Sequence, residues 1–448
     1  MTAKLAPYDH DDSYNPFEHR AVQETTTTMG ALLHLLKSSL GTGIMAMPNA
    51  FNNAGVLFGT IMTLVVAVLC THCVWILVST SHKICKISRT PLLTFAGTAE
   101  KVFEYGSPWA RRNARAAGII VDYALMATYF SAGCIYIVFV GNTLHDVFNQ
   151  LFGWTLGVRI YIVIGMVPIL LIGQIRTLKF LVPFSGSANV FIVIVFGIVL
   201  YYIFKEPLTI SDKPLVAPWT QWPVFFSTVI LAMEGIGSIM PVENTMDKPQ
   251  HFLGKPRILL IAMSFVTVLY TVTGLLGYIR FGDEIRGSIT LNLPTDEWIA
   301  VTGQLLIALS ILFTFGLQFY VPMDILLRKI EHRIQKSRNI EGSRNIKEIV
   351  LRTVIMIAMG GLAIAIPDLG PFISLVGAVF FVSLGLLVPT IIETVFCQSN
   401  GGFGHYNWIL WKNILLIALS LVAVFSGALV SIIDIVNLYT GKYEVKLH

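Results

Sequence analysis

Gly41-Thr42-Gly43-Ile44-Met45-Ala46-Met47-Pro48 interrupts the first long apolar segment of the chain, residues 29–52. Two glycines and a proline weaken a helix in hydrocarbon, where each backbone group left without a partner costs several kcal/mol unless it borders a cavity or another polar group. A break kept at that cost predicts a use. A second one, Ala232-Met233-Glu234-Gly235-Ile236-Gly237 with Pro241 beyond it, carries the one carboxylate we place near the centre of an apolar segment.

The rest of the chain supplies the setting. Of 448 residues, 55% are hydrophobic and 13% charged, and the mean hydropathy is +0.72. Soluble domains carry about 25% charged residues, so this is a polytopic membrane protein. No apolar run has the short, small-residue-terminated form of a cleaved leader, and the first segment is expected to remain in the mature protein. Residues 1–28 are polar and read as a mobile cytosolic tail. Apolar segments follow near 29–52, 54–79, 116–141, 158–173, 177–204, 223–242, 257–280, 297–325, 350–368, 371–394 and 408–436, and residues 437–448 form a short outside or lumenal tail. Each segment is long enough to span about 30 Å at roughly 1.5 Å per residue, the fourth only just. The expected fold is therefore an all-α polytopic membrane protein with eleven transmembrane helices, its transporter domain covering 29–436.

Eleven crossings put the termini on opposite sides. With the N-terminus cytosolic, inside segments hold 23 of the 31 Lys and Arg residues and outside segments hold 7, with Lys37 inside the first helix. This bias orients the chain N-terminus inside. The same parity makes the first and sixth segments run in opposite directions. Their breaks echo each other, GTGIMAMP against GIGSIMP, as expected of a five-plus-five inverted repeat with broken first and sixth helices.

At an unwound helix, the free N–H groups of the following half attract a carboxylate, while the exposed carbonyls of the preceding half accept from an ammonium. A small zwitterion carries both charges. Gly41 and Gly43 bring backbone close to such a guest, Thr42 adds a hydroxyl, and the alternative is that the glycines serve helix packing alone. Glu234 is either a proton-titrating or amine-facing group, or a hydrogen-bonded strut. His34 lies about two turns before the first break; imidazole as a class changes charge near neutral pH, and this one is either a proton relay or an ordinary polar residue. Lys37 is expected to snorkel. Tyr129 and Ser131 in the third helix and Gln318 and Tyr320 in the eighth are candidates to line the cavity. Asp122 lies a little inside the third helix, and Asp324, Glu393 and Asp434 read as helix-end residues. The five cysteines suggest neither a disulfide framework nor a zinc site. Without a P-loop or a hydrolase motif, transport would run on a gradient and no enzyme activity is expected.

Several longer words are specific. His34-Leu-Leu-Lys-Ser-Ser-Leu-Gly-Thr-Gly-Ile-Met-Ala-Met-Pro48, Pro214-Leu-Val-Ala-Pro-Trp219, Met233-Glu-Gly-Ile-Gly237, Pro241-Val-Glu-Asn244, Gly277-Tyr-Ile-Arg-Phe-Gly282, Gly287-Ser-Ile-Thr-Leu-Asn-Leu-Pro294, Gln318-Phe-Tyr-Val-Pro322 and Ile373-Ser-Leu-Val-Gly377 stand in that order. They resemble the proton-coupled amino acid transporter branch of the amino acid/auxin permease family. The resemblance implies symport of small neutral amino acids with a proton by alternating access, at the plasma membrane or the lysosomal membrane, with no cofactor beyond the coupling proton. It implies proton coupling at His34 and a substrate held by Gly41, Thr42, Gly43 and Ile44 of the first break and Ala232, Met233 and Gly235 of the second. Vertebrate relatives carry cysteines in the outside loops, whereas residues 142–157 and 282–296 contain none. The position before the glutamate, usually aromatic, is Met233, a softer wall for a pocket.

The expected partners are a small neutral amino acid and membrane lipid, without nucleic acid. Two rivals stand beside this reading. One is an amino-acid sensor with little flux, whose basic 328–352 loop would meet a cytosolic signalling partner or anionic lipid. The other is a sodium-coupled or uniport carrier.

Overall fold

The computed structural model describes residues 14–20, 25–39, 41–176, 178–233, 235–334, 341–400 and 402–440. In chain order its helices are α1 (Thr28–Ser39), α2 (Thr42–Asn52), α3 (Val56–Ser88), α4 (Phe95–Glu104), α5 (Pro108–Arg112), α6 (Ala114–Phe152), α7 (Val158–Gly173), α8 (Leu178–Phe204), α9 (Trp222–Met233), α10 (Ile236–Asn244), α11 (Gln250–Leu253), α12 (Ile258–Phe281), α13 (Trp298–Ile334), α14 (Glu341–Ala365), α15 (Leu369–Val376), α16 (Val388–Asn400) and α17 (Trp408–Tyr439). Two π-helical stretches, Gly377–Phe381 and Ser383–Leu387, carry α15 into α16. No strand forms among the described residues. The fold is an all-helical membrane bundle.

Among the described residues, nine helices are long and apolar enough to cross a membrane, and Val158–Gly173 is a shorter apolar one. Their outward faces are greasy: Val68, Leu171, Val193 and Phe425 are each at least two-thirds exposed, as lipid contact requires. Several helices outrun the apolar segments that announced them. α3 continues to Ser88, α6 to Phe152 and α13 to Ile334, because a helix once nucleated propagates through polar residues, whereas hydropathy marks only the part in hydrocarbon.

Both expected breaks are present. The first span stops at Ser39 and restarts at Thr42; the second stops at Met233 and restarts at Ile236. Gly41 and Gly235 stand outside the helices on either side, and Leu40 and Glu234 lie outside the described residues. The first half of one broken helix packs on the second half of the other, α1 on α10 and α2 on α9. The two broken helices therefore run antiparallel, as the parity of the segments demanded.

Two groups of helices surround this pair. α12 and α3 pack beside α2, while α6, α7, α8, α13 and α14 pack among themselves. Ion pairs tie the second group together. Lys329 Nζ lies 2.7 Å from Asp122 Oδ2, joining α13 to α6. Lys205 and Tyr202 at the end of α8 both donate to Glu297 before α13. Outside that group, Glu393 of α16 meets Lys412 Nζ of α17 at 2.7 Å.

The expectation of a loose tail over 1–28 gives way for the residues described there. Thr26 N donates to Thr245 O at 2.7 Å, and Asp247 N donates to Thr26 O at 3.0 Å, so the tail is stitched to the end of α10. Arg20 reaches further in, to Glu243. The reason lies in the partner: Glu243 is wholly buried, and a buried carboxylate requires a cation beside it. Residues 1–13 of the expected tail, and 441–448 at the other end, lie outside the described residues.

Candidate functional site

The site is built from the ends of four half-helices. Gly41 and Gly235 stand at the N-cap positions of α2 and α10, and neither half-helix has a side chain capping its first turn. The N–H groups that such an end leaves free carry the positive end of the helix dipole and favour an anion. The carbonyl ends of α1 and α9 face the same region and supply the opposite polarity.

Glycine decides how closely these ends approach. A Cβ placed on Gly43 would fall 2.8 Å from Ala232 Cα and 3.0 Å from Ala232 O, so the two breaks touch backbone to backbone. A Cβ on Gly41 would meet nothing within 4 Å. The two glycines that look alike in sequence thus differ: Gly43 is a contact, and Gly41 borders open space. On the second break, a Cβ on Gly235 would lie 2.9 Å from Ser38 Oγ, and one on Gly237 would lie 2.7 Å from the Cζ of Tyr129. Tyr129 of α6 therefore lies directly over the restart of the second broken helix.

The remaining expected residues divide. Ala232 and Met233 are buried at the end of α9, and Ile44 is buried in α2. The backbone of Thr42 opens α2. Glu234 lies outside the described residues. His34 is on the exposed side of α1, where it shares with Lys37, Ile44, Asn189, Phe196 and Phe265 a lateral groove of about 560 Å³ between α1, α8 and α12. Ile44, the neighbour of Gly43, and Leu269, the neighbour of Tyr270, line the same groove, whereas neither Gly43 nor Ala232 does. Tyr320 is half-buried on α13, and the described contacts tie it to neither break. Its neighbour Gln318 donates through Nε2 to the Tyr136 hydroxyl at 3.4 Å.

Sequence reading missed two features. The first is Tyr270 on α12, fully buried, whose hydroxyl reaches Ser39 O and, at 3.0 Å, Ala232 O. Among many tyrosines it had one distinguishing signal: Gly274 and Gly277 follow it at i+4 and i+7, marking a face made for close packing. The second is a charge cluster at the far end of α10. Glu243 Oε1 accepts from Arg20 Nη2 at 3.0 Å and lies 2.8 Å from His82 Nε2. Arg20 also donates to Glu243 O at 3.2 Å and to Pro91 O at 3.1 Å. No group of His, Cys, Asp and Glu able to hold a metal occurs among the described residues.

Comparison with known proteins agrees with this architecture. Residues 24–433 match the family model described as "Transmembrane amino acid transporter protein". The "Proton-coupled amino acid transporter-like protein pathetic" of Drosophila melanogaster is 40% identical over 434 residues, 97% of this chain and 90% of that one. The "Amino acid transporter AVT3C" of Arabidopsis thaliana is 26% identical over 416 residues, 88% of each chain. The crystal structure of MhsT in complex with L-phenylalanine aligns with a TM-score of 0.51 at 15% identity, covering 91% of this chain and all of that one. At that identity the likeness speaks to fold, and it agrees with the inverted repeat.

Proposed function

Because the chain belongs to the transmembrane amino acid transporter family, and is a transporter and not an enzyme, we propose that it carries small neutral amino acids together with a proton by alternating access. The observation that carries this reading is the meeting of the two breaks at Gly43 and Ala232, with two uncapped half-helix N-termini beside two carbonyl ends. An α-carboxylate and an α-ammonium match those ends, and open space at Gly41 leaves room for a small side chain. In this proposal Gly41, Thr42, Gly43, Ile44, Ala232, Met233 and Gly235 hold the substrate, Tyr129 and Tyr320 line its cavity, and His34 and Glu234 exchange the proton. In this proposal the chain crosses the plasma membrane or the lysosomal membrane eleven times, with the N-terminus in the cytosol and the C-terminus outside or in a lumen, a reading that the Lys and Arg bias of the loops supports. Rocking of the α2, α9 and α12 group against the α6, α8 and α13 group would expose the site to each side in turn.

The docked tail favours a second reading. Arg20 and Thr26 contact α10, the continuation of the second break, so occupancy of the break has a mechanical route to the N-terminal segment. A sensor that reports an amino acid through a cytosolic partner would use that route with little flux.

One experiment separates these. Protein reconstituted in liposomes is offered each of the twenty amino acids with and without an inward acid gradient. Saturable uptake of small neutral amino acids that the gradient stimulates is expected. Uptake indifferent to the gradient overturns proton coupling, and saturable binding without concentrative uptake gives the sensor reading.

A further inference from the structure

Two helix ends of the same polarity meet at the breaks. α1 ends in the Ser39 carbonyl and α9 in the carbonyls around Ala232, and each end carries a partial negative charge of about half an electron. The peptide N–H of Gly41 satisfies part of the first end, donating to Ser39 O at 2.9 Å. Something positive or protic must still stand between the two ends, because carbonyls turned out of a helix and away from water otherwise go unpaired. In carriers built on broken helices, unwound carbonyls and half-helix C-termini are the places that coordinate a sodium ion.

Here a side chain stands there. The Tyr270 hydroxyl lies within hydrogen-bond reach of both Ser39 O and Ala232 O. Its O–H donates to one of them at a time, and its oxygen keeps lone pairs for a further donor. The ring has no freedom to leave. Tyr270 is fully buried, and along the same face of α12 a Cβ on Gly274 would strike the ring of Phe51 while one on Gly277 would strike Pro48. These contacts press α12 against α2 and fix the height of the hydroxyl.

We infer that Tyr270 is a positioning residue that occupies, at the meeting of the two breaks, the place a coupling metal cation would otherwise take, so that the breaks are held together without sodium. This deepens the carrier reading by naming what links the two carbonyl ends, and its transport test rests on that reading.

The experiment compares the wild-type protein with Tyr270→Phe, each in sodium and in choline at a fixed pH gradient, by liposome uptake and by thermal unfolding of the purified protein. The wild type is expected to be indifferent, with uptake within twofold and melting unchanged between the two cations. Tyr270→Phe is expected to lose at least tenfold in uptake and to melt lower, with sodium relieving both losses and choline relieving neither. Wild-type sodium dependence, a variant that behaves as wild type, or a loss equal in sodium and choline would each overturn the inference. If Tyr270→Phe does not fold, the wild-type melting comparison decides: a sodium-specific rise overturns it, and its absence supports it. If the wild type moves no amino acid at all, the carrier reading fails on its own, while the melting comparison still tests Tyr270.

Discussion

Gly43 and Ala232 lie against each other backbone to backbone, with 2.8 Å between the Ala232 Cα and the point where a Gly43 side chain would begin. This contact joins the first broken helix to the second, and residues 189 apart in sequence become the two walls of one candidate site.

Gly43→Val should therefore abolish uptake while the protein still reaches the membrane. Even the first carbon of a side chain displaces the α9 backbone, and overpacking of this kind costs about 1–3 kcal/mol. Gly41→Ala is the contrast, since open space receives its methyl: the variant should melt as the wild type does and show a raised KM. Uptake kinetics beside surface labelling check both, and normal uptake by Gly43→Val removes the site assignment.

Tyr129 covers Gly237 closely enough that a methyl there would meet its ring. Gly237→Ala should push the tyrosine aside and raise KM several-fold, and the smaller Tyr129→Phe should do less. Equal, unchanged KM values in both variants would place Tyr129 outside the cavity.

The proposed function gives proton exchange to His34 or Glu234, and each has its own signature. The residue that titrates should, as His34→Gln or Glu234→Gln, flatten the dependence of uptake on external pH between about 5 and 8. His34 and Ile44 line one groove, which makes the comparison informative, because Ile44 adjoins Gly43 of the first break. Two unchanged pH profiles would exclude both residues.

The Arg20–Glu243 pair is almost wholly out of solvent, with side chains 5% and 1% exposed. Removing one partner of a buried pair costs up to about 3–5 kcal/mol when the other charge is left alone, and less here because His82 Nε2 stays 2.8 Å from Glu243 Oε1. Arg20→Ala should lower the melting temperature clearly, and adding Glu243→Gln to it should recover part of the loss. A double-mutant cycle with no coupling between the two positions would show the tail contact to be incidental.

The Lys205–Glu297 pair behaves differently because it is exposed to water. Hydrogen bonding from Lys205, and then from Tyr202, holds the Glu297 carboxyl below the usual carboxylate range, and the same bond raises the Lys205 ammonium above its own. The carboxylate's contribution is complete above its unfolded pKa of about 4.3 and is lost as pH falls through the lower folded value. The ammonium's contribution is complete below its unfolded pKa of about 10.4 and is lost as pH rises through the higher folded value. Both are intact between pH 5 and 8. Lys205→Met should thus lower the melting temperature slightly and equally at pH 5 and pH 8, with the difference shrinking below about pH 4. A difference that grows between pH 5 and pH 8 would contradict this.

Much was legible in the one-dimensional pattern. Hydropathy placed the helices, because hydrocarbon forces every spanning backbone into closed hydrogen bonding. The glycine and proline words placed both breaks, and counting segments gave their opposite directions, which the packing of α1 on α10 and α2 on α9 reproduces. These are local or additive properties, and a sequence displays them directly.

What only the tertiary structure decided concerns which groups meet. That Gly43 is a contact and Gly41 an opening, that Tyr270 joins two carbonyl ends from a third helix, and that Arg20 of a polar tail pairs with Glu243 all depend on residues far apart in the chain. Periodicity tells which face of a helix is apolar, but the partner of a buried polar group is chosen by how helices cross and how closely small residues let them approach.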